Sequence, residues 1–230
     1  LTALCGQVET GDAALGIAHD GDADRMVAVD ETGTFVPKDV LLALFARDAV
    51  AAADGGVVAA PVDTSLCVDD AIADLGGRVT RTQVGDVFVA EAATREEVVF
   101  GGEPSGAWIW PEETLCPDGS LAAAKLVALV ATAGSLADQV AAVAQYPIRR
   151  ESIEVDDKAG VMNRVADELA ADYEDVTTTD GVRVETDTGW LLVRPSGTQP
   201  LIRVTAEARS DDGADTLLAD GIDRVEAAVE

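Results

Sequence analysis

The sequence predicts an α/β fold, with a mixed, mainly parallel α/β sheet domain followed by a small α+β C-terminal domain. Through about residue 145, short apolar runs alternate with amphipathic stretches, a spacing typical of strands and helices in a parallel sheet. After Tyr146-Pro147, strand-like runs instead cluster between two helices. Apolar residues make up 48% of the 230, which is enough for each part to have its own core.

The elements of the first part follow from the spacing of apolar residues and turn formers. Apolar residues at helical spacing from Val40 to Ala49 predict a helix, and Gly76-Gly77 ends a second helix that begins at Leu66. The predicted strands are residues 15–18, 26–29, 57–60, 78–82 and 98–101, and the predicted helices are residues 38–53, 66–75, 87–97 and 121–131, the last capped by Ser120.

The elements of the second part begin where the pattern changes. The predicted strands are residues 149–155, 182–185, 190–193 and 202–206, and the predicted helices are residues 161–171 and from about residue 212 onward. We place the boundary between the α/β and α+β domains near residue 148.

The charge of the chain is strongly negative. With 43 acidic and 16 basic residues, the net charge of −27 would repel nucleic acid and anionic membranes, so neither is expected as a partner. The acidic excess could form a binding face for a cationic partner or a solvated coat suited to concentrated salt. Because the acids are spread along the whole chain, we favour the coat and expect a halophilic protein.

The cysteines and the longest apolar stretch indicate the cellular compartment of the protein. Cys5, Cys67 and Cys116 lack the paired spacing of a disulfide framework or a zinc site, which indicates a reducing compartment. The longest apolar stretch, residues 121–133, is interrupted by Lys125 and is too short for a membrane span. We therefore expect a cytoplasmic protein.

Three carboxylates occupy alternate positions in the turn between the first two predicted strands. The turn is Asp20-Gly21-Asp22-Ala23-Asp24-Arg25, and its glycine allows a tight bend that converges the carboxylate oxygens. Three carboxylates together are costly without a counter-ion, so a hard cation such as Mg²⁺ is the natural neutraliser. The alternative is a solvated acidic turn, which the flanking strands disfavour because they place the loop at a strand end, where α/β proteins bind ligands.

Two other metal-loop motifs share part of this pattern. An EF-hand needs glycine at its sixth position and a following helix, whereas this chain has Arg25 and then a predicted strand. A phosphatase with an aspartate nucleophile usually has a small or β-branched residue where Asp24 stands. The sequence therefore disfavours both a calcium-binding EF-hand and a phosphatase of this type.

A second cluster lies near the end of the chain. It is Arg194-Pro195-Ser196-Gly197-Thr198-Gln199-Pro200, and Arg203 follows. Arginine forms bidentate contacts with phosphate, hydroxyls donate to it, and backbone N–H groups near a glycine can form an anion-binding nest. The alternative is a surface turn with solvated arginines, but two arginines beside this loop in a cation-poor chain favour a phosphate-binding site.

A third cluster combines glycines with a carboxylate and a hydroxyl. It is Gly101-Gly102-Glu103-Pro104-Ser105-Gly106, in which Glu103 and Ser105 can hydrogen-bond vicinal sugar hydroxyls. Such turns are common, so this motif alone is a weak signal. Trp108 and Trp110 nearby could stack on a sugar face, although packing in the core is favoured for at least one of them.

The order of these motifs resembles the α-D-phosphohexomutase family, which includes phosphoglucomutase, phosphomannomutase and phosphoglucosamine mutase. The matching motifs are Asp-Gly-Asp-Ala-Asp-Arg at residues 20–25, Gly-Glu-Pro-Ser-Gly at residues 102–106 and Arg-Pro-Ser-Gly-Thr at residues 194–198, with residues 82–86 similar to the loop ahead of the sugar site. The resemblance implies a four-domain enzyme, of which residues 1–33 would be the end of domain 2, residues 34–148 domain 3 and residues 149–230 domain 4.

The resemblance also implies a role for each motif. Asp20, Asp22 and Asp24 would hold Mg²⁺, and Arg25 would be a catalytic residue beside a phosphorylated serine. Glu103 and Ser105 would bind the hydroxyls of a phosphorylated hexose. The substrate's non-reacting phosphate would be bound by Arg194, Ser196, Gly197, Thr198 and Arg203. The phosphoserine would interconvert hexose 1-phosphate and hexose 6-phosphate through a 1,6-bisphosphate.

Two features depart from the family pattern. The first is that the family's serine loop, of the Thr-Ala-Ser-His-Asn-Pro kind, does not occur in the sequence, which also does not begin with a methionine. We therefore expect N-terminal domains of the same enzyme to be missing from this chain, which alone would be inactive. Gln199 stands where the family usually has glutamate, and His19 beside the metal ligands is expected to have a structural or supporting role.

Two other functions stay open on the sequence alone. A non-catalytic sugar-phosphate-binding module would keep the phosphate-binding site but need no upstream serine loop. A metal-dependent sugar phosphatase would release inorganic phosphate without a bisphosphate. The choice of sugar is also open, because Pro195 resembles the glucose and mannose branches whereas residues 84–86 resemble the glucosamine branch.

Overall fold

In the computed structural model, which describes residues 1–229, the internal contacts of the chain separate into two units. Unit 1 is Leu1–Gln145, and unit 2 runs from Tyr146 to the end of the described residues. The finer division into residues 1–33, 34–148 and 149–230 stays a prediction.

Unit 1 is built on a four-stranded sheet and a separate two-stranded hairpin. Its elements are α1 (Thr2–Thr10), β1 (Leu15–His19), β2 (Met26–Asp30), α2 (Lys38–Ala52), β3 (Gly56–Pro61), α3 (Leu66–Ala73), β4 (Gly77–Thr82), α4 (Asp86–Ala92), β5 (Val98–Gly102), β6 (Trp108–Ile109), α5 (Gly119–Ala133) and α6 (Leu136–Ala141). The sheet has the order β4-β3-β5-β6, in which only the β5–β6 pair is antiparallel. Strands β1 and β2 form the antiparallel hairpin. The mixed, mainly parallel sheet is as predicted.

The core of unit 1 is centred on helix α2, which packs against the sheet. Leu41, Leu42 and Phe45 are buried, and buried side chains occur all round this helix, as expected for a helix inside the core. Phe45 makes edge contacts with Trp108 and Trp110, at ring-centroid distances of 5.6 and 5.1 Å. Both tryptophans are buried in this cluster, so neither is placed to stack on a sugar face. Within residues 1–229, no helix is both long and apolar enough to cross a membrane.

Unit 2 is an α+β fold in which two helices pack on an antiparallel sheet. Its elements are β7 (Ile148–Glu154), α7 (Lys158–Asp172), β8 (Val176–Thr177), β9 (Val182–Thr186), β10 (Gly189–Pro195), β11 (Leu201–Ala208) and α8 (Asp211–Val229). The strands have the order β7-β11-β10-β9-β8. Alternate residues of β10, such as Leu191 and Val193, face a core that also contains Val165 of α7 and Val225 of α8.

Several element boundaries differ from the predicted ones. Helix α4 ends at Ala92, because the next stretch, residues 94–97, is polar and exposed and gives a helix nothing to bury. Ser120 is not the cap of α5, since the carboxylate of Asp118 accepts the hydrogen bond from Leu121 N at 2.9 Å. The sequence did not predict α1, α6, β6 or β8, which are short or bury little.

Candidate metal and sugar-phosphate sites

The loop between β1 and β2, residues 20–25, carries the three predicted metal ligands and is called the metal loop below. One carboxylate oxygen from each of Asp20, Asp22 and Asp24 lies within 4.8 Å of the other two. Oxygen ligands of a hard divalent cation lie ~2.0–2.6 Å from the ion, so two of them can be at most about 5 Å apart. The three carboxylates are therefore close enough to share one hard divalent cation. The loop does follow a strand, but the strand belongs to the hairpin and not to the parallel sheet.

The backbone of the metal loop is held by neighbouring elements. Ala23 has a φ of 60°, a conformation that is uncommon for residues other than glycine. Its carbonyl accepts a hydrogen bond from Gly119 N, the first residue of α5, at 3.1 Å. A side chain at Gly119 would bring a Cβ to 2.7 Å from that carbonyl, so glycine is needed for this approach. His19 Nδ1 lies 3.0 Å from Arg25 O, which is a contact with the backbone of the loop.

The guanidinium of Arg25 lies on the carboxylates of its own loop. Its Nε is 2.7 Å from Asp20 Oδ2 and 3.3 Å from Asp24 Oδ1. The hydrogen bond with Asp24, followed by the charges of Asp20 and Asp24, raises the pKa of Arg25 above its ordinary value. In this structure the predicted catalytic arginine thus partly neutralises the predicted metal ligands.

Glu103 and Ser105 are brought together in the loop after β5, residues 103–106, which is called the sugar loop. Gly85 N donates to Glu103 Oε1 at 2.7 Å, and Ser105 Oγ donates to Glu103 Oε2 at 3.0 Å. Burial, with smaller effects from the charges of Asp86 and Asp63, raises the pKa of Glu103 above the ordinary glutamate value, although both hydrogen bonds oppose this. Both oxygens of this carboxylate are therefore fixed in place.

The sugar loop is one of three loops at the carboxyl ends of parallel strands. The other two are residues 62–65 after β3 and residues 83–85 after β4, so the three loops meet at the edge where α/β sheets bind ligands. The loop after β3 was not predicted as part of the site. The signal that could have identified it is the polar run Asp63-Thr64-Ser65 directly after an apolar strand.

The metal loop and the sugar loop are joined through β2. Met26 N donates to Gly106 O at 3.0 Å, and the indole Nε1 of Trp108 donates to Met26 O at 3.3 Å. Gly106 has a φ of 105°, and a Cβ there would lie 2.9 Å from Met26 O. In unit 1 the loop with the acidic triad and the loop with Glu103 and Ser105 are therefore connected by backbone hydrogen bonds.

Two of the predicted phosphate-binding residues are cross-strand neighbours in unit 2. Arg194 of β10 lies directly opposite Arg203 of β11, and like charges in this arrangement destabilise a sheet. Asp180 Oδ2 lies 3.1 Å from Arg194 Nη1 and offsets part of this charge. The guanidinium of Arg203 has no ion pair or hydrogen bond with any of residues 1–229. The pair of arginines is thus suited to receive an anion.

The remaining predicted phosphate ligands lie in the loop between β10 and β11, residues 196–200, which is called the phosphate loop. Ser196 is buried and its Oγ accepts a hydrogen bond from Gln199 N at 3.3 Å, whereas Gly197 and Thr198 are exposed. Lys158, the first residue of α7, donates from Nζ to Ser196 O at 2.6 Å and to Gln199 O at 2.9 Å. The sequence did not predict a role for Lys158, because nothing local to it indicates this contact.

A cavity of about 490 Å³ lies elsewhere in unit 1. Its lining includes Asp48, Arg95, Trp110 and Lys125, and none of the predicted metal, sugar or phosphate ligands. The candidate sites are thus built from loops at the ends of strands and not from this cavity.

The chain matches two models of one protein family. The model described as "Phosphoglucomutase/phosphomannomutase, alpha/beta/alpha domain III" matches residues 37–146. The model described as "Phosphoglucomutase/phosphomannomutase, C-terminal domain" matches residues 152–224.

Individual proteins show the same relationship. A protein of Methanopyrus kandleri described as "Probable phosphoglucosamine mutase" is 49% identical over 226 residues, which cover 97% of this chain and 50% of that protein. Others from Methanothermobacter thermautotrophicus and Methanococcoides burtonii, with the same description, are 46% and 47% identical. The chain spans about half the length of the curated relatives that it matches.

Solved structures share the fold. A phosphoglucomutase/phosphomannomutase family protein from Burkholderia thailandensis has a TM-score of 0.85 at 24% identity, over 99% of this chain and 50% of that one. The N-acetylphosphoglucosamine mutase of Aspergillus fumigatus, solved in complex with GlcNAc-6P and magnesium, has a TM-score of 0.64 at 19% identity, over 96% of this chain and 56% of that one. Together with the two family models, these likenesses show that the chain belongs to the α-D-phosphohexomutase family, as part of its C-terminal portion.

Proposed function

We propose that this chain is the C-terminal portion of a Mg²⁺-dependent phosphohexomutase that interconverts hexose 1-phosphate and hexose 6-phosphate. The phosphoserine would be supplied by N-terminal domains of the same enzyme, and the reaction would pass through a 1,6-bisphosphate. The observation that carries the proposal is the joining of the acidic triad to the Glu103–Ser105 pair through Met26 and Gly106. The length of the curated relatives, about twice that of this chain, supports the missing domains.

In this proposal the metal loop binds the ion and the reacting phosphoryl group. Asp20, Asp22 and Asp24 would hold Mg²⁺, whose charge stabilises the negative charge on a transferring phosphoryl group. The guanidinium of Arg25, already beside these carboxylates, would donate hydrogen bonds to the phosphoryl oxygens. The A. fumigatus neighbour solved with magnesium supports the choice of ion.

The sugar loop would orient the hexose ring. Glu103 can accept hydrogen bonds from sugar hydroxyls, and Ser105 Oγ can bind one while it remains fixed to Glu103. We propose glucosamine phosphate as the sugar. The descriptions of the relatives at 46–49% identity support this choice, and the carboxylates of Asp63 and Asp86 near Glu103 would attract a cationic amino group.

The phosphate loop would bind the substrate's non-reacting phosphate. Arg194 and Arg203 would supply charge, and Ser196, Gly197 and Thr198 would supply hydroxyl and amide donors. This clamp would hold the sugar while the other end reacts, which is how positioning lowers a barrier. Without a phosphoserine, the chain alone should bind ligands but turn nothing over.

The proposal can be tested by binding and turnover measurements on the 230-residue chain. Calorimetric titration should show Mg²⁺ binding that Asp22→Asn strongly weakens, and NMR titration should show glucosamine 6-phosphate binding that Arg194→Gln weakens. A coupled assay should show no conversion of glucosamine 1-phosphate. Turnover by this chain would contradict the missing-serine proposal, and release of inorganic phosphate would favour a sugar phosphatase instead.

A non-catalytic sugar-phosphate-binding module predicts the same binding results. Sequencing the gene upstream of the Leu1 codon separates the two functions. An open frame with a Ser-His-Asn-Pro-type loop supports the mutase, whereas a start codon directly before Leu1 would favour the binding module.

We also propose that the protein works in a salt-rich, reducing cytoplasm, because its acidic residues outnumber its basic ones along the whole chain. Self-repulsion among these carboxylates should weaken as salt screens them. The unfolding temperature should therefore rise from dilute to molar KCl. An unfolding temperature that is flat or falls with KCl would contradict the halophilic assignment.

A further inference from the structure

The side chain of Lys158 lies behind the phosphate loop. Its ammonium donates to two carbonyls of that loop, Ser196 O and Gln199 O, at 2.6 and 2.9 Å. Lys158 is half-buried, and it is 38 residues from Ser196 in the sequence. One side chain therefore connects the start of α7 to both ends of the turn that contains Gly197 and Thr198.

These contacts fix the direction of a backbone donor. In a trans peptide the carbonyl and the following N–H point to opposite sides, so Ser196 O facing Lys158 directs the Gly197 N–H away from it. Neither Gly197 N nor Thr198 N donates a hydrogen bond to any of residues 1–229. The amide of Gly197 is thus directed to the side of the turn away from the lysine, where it is available to an anion.

The position of Lys158 in its helix does not favour the helix itself. A cation at the first helical residue lies at the positive end of the helix dipole, where an anion would be stabilising. Helix α7 has no acidic residue in its first turn, although the carboxylate of its N-cap, Asp157, offsets part of the charge of Lys158. A side chain that opposes the local preference is expected where it serves another part of the structure.

We propose that Lys158 is a positioning residue for phosphate binding, which holds the phosphate loop so that the amide of Gly197 faces the phosphate. Its ammonium acts through the loop and makes no direct contact with the ligand. This inference rests on the proposed role of the phosphate loop, and it adds a residue from outside the motif that the family resemblance identified.

The test compares lysine variants of the 230-residue chain with glucosamine 6-phosphate and with inorganic phosphate as probes. Lys158→Met should weaken binding of both probes about tenfold, because the loop must then be ordered by the ligand itself. Lys158→Arg should recover most of the affinity, since a guanidinium can also donate to two carbonyls. The matched control is Lys125→Met, which removes the same charge from unit 1, where Lys125 contacts Glu113.

A second measurement reports on the loop without any ligand. The amide signals of Gly197 and Thr198 should shift or broaden in Lys158→Met and stay near their parent values in Lys158→Arg, while the signals of the core of unit 2 are unchanged. If Lys158→Met fails to fold, Lys158→Gln takes its place. Shifted Gly197 and Thr198 signals in Lys158→Gln, with signals near the parent values in Lys158→Arg, would support the inference, and unchanged signals in both variants would overturn it.

The outcomes distinguish the inference from the proposed function. Unchanged binding and unchanged loop signals in Lys158→Met would overturn the inference alone. Equal weakening by Lys158→Met and Lys125→Met would show an effect of net charge only and would overturn it as well. A parent chain that binds neither probe, or binding that is insensitive to Arg194→Gln, would overturn the proposed function and the inference together.

Discussion

The metal loop of unit 1 and the predicted phosphate-binding residues of unit 2 each concentrate charge of one sign, which is negative in the metal loop and positive in unit 2. The metal loop gathers three carboxylates and neutralises them from within, through Arg25. The phosphate-binding residues gather two arginines and draw their counter-charge, Asp180, and their support, Lys158, from other elements. The charged groups of the first arrangement all come from six consecutive residues, whereas those of the second come from separate elements of the fold. This difference between the two regions determines which substitutions should change only the affinity for a ligand and which should also change the conformation of the loop that binds it.

The largest effect is expected from breaking the carboxylate triad. Asp22→Asn removes one charged ligand from the site, and Mg²⁺ affinity should fall by about a hundredfold, since charge count sets the affinity of such sites. Calorimetric titration measures the change. Phosphate binding to unit 2 should be unaffected, so a parallel loss there would indicate general misfolding.

A smaller effect of opposite sign is expected from Arg25, which competes with the ion. Arg25→Gln removes a cation 2.7 Å from Asp20, so Mg²⁺ should bind about threefold more tightly. The contact is partly exposed, which keeps the gain small. Weaker Mg²⁺ binding in this variant would mean that Arg25 supports the loop and does not compete with the ion.

The matching substitution in unit 2 removes the counter-charge of Arg194. In Asp180→Asn the amide oxygen can still accept a hydrogen bond, but the negative charge 3.1 Å from the guanidinium is lost. Inorganic phosphate should therefore bind about twofold more tightly at low salt, with less gain at high salt. NMR titration at two salt concentrations measures this. A loss of affinity would show that the charge of Asp180 is needed to orient Arg194.

The smallest effect is a change of stability with pH at Glu103. Burial and nearby carboxylates raise the pKa of Glu103 in the folded chain, so ionisation of this side chain opposes folding. The free energy of unfolding therefore falls as pH rises from the ordinary glutamate pKa through the raised one. Glu103→Gln removes this loss and should melt about 2 °C higher than the parent at neutral pH. The difference should vanish at a pH below the ordinary glutamate pKa, where the parent is also neutral. A variant that melts lower at neutral pH would contradict this sign.

The same contrast explains what the sequence could predict. The strands around the metal loop and the two arginines of unit 2 follow from local apolar runs and from residues close in sequence, and the fold class is confirmed. The predicted cap of α5 at Ser120 and the predicted end of α4 at residue 97 were wrong, because Asp118 can cap the same helix and the polar residues after Ala92 bury nothing. Element type therefore followed from periodicity better than element ends did.

The missed parts of the site are contacts between distant residues. Lys158 and Asp180 reach the phosphate-binding residues only after β9, β10 and β11 have paired. Asp63 lies near Glu103 because parallel strands bring their carboxyl ends to one edge. No spacing rule in a single sequence identifies contacts between residues so far apart in the chain. The roles assigned to the site residues stay predictions.

The contacts that join the metal loop to the rest of unit 1 have a consequence for synthesis. The hairpin is supported by Gly106, Trp108 and Gly119, which lie far downstream of it in the chain. At about 5–20 residues per second, a ribosome needs roughly 5–20 s to pass from Arg25 to Gly119. The carboxylates thus leave the ribosome well before their support exists. In unit 2 the order is reversed, since Lys158 and Asp180 are made before Arg194.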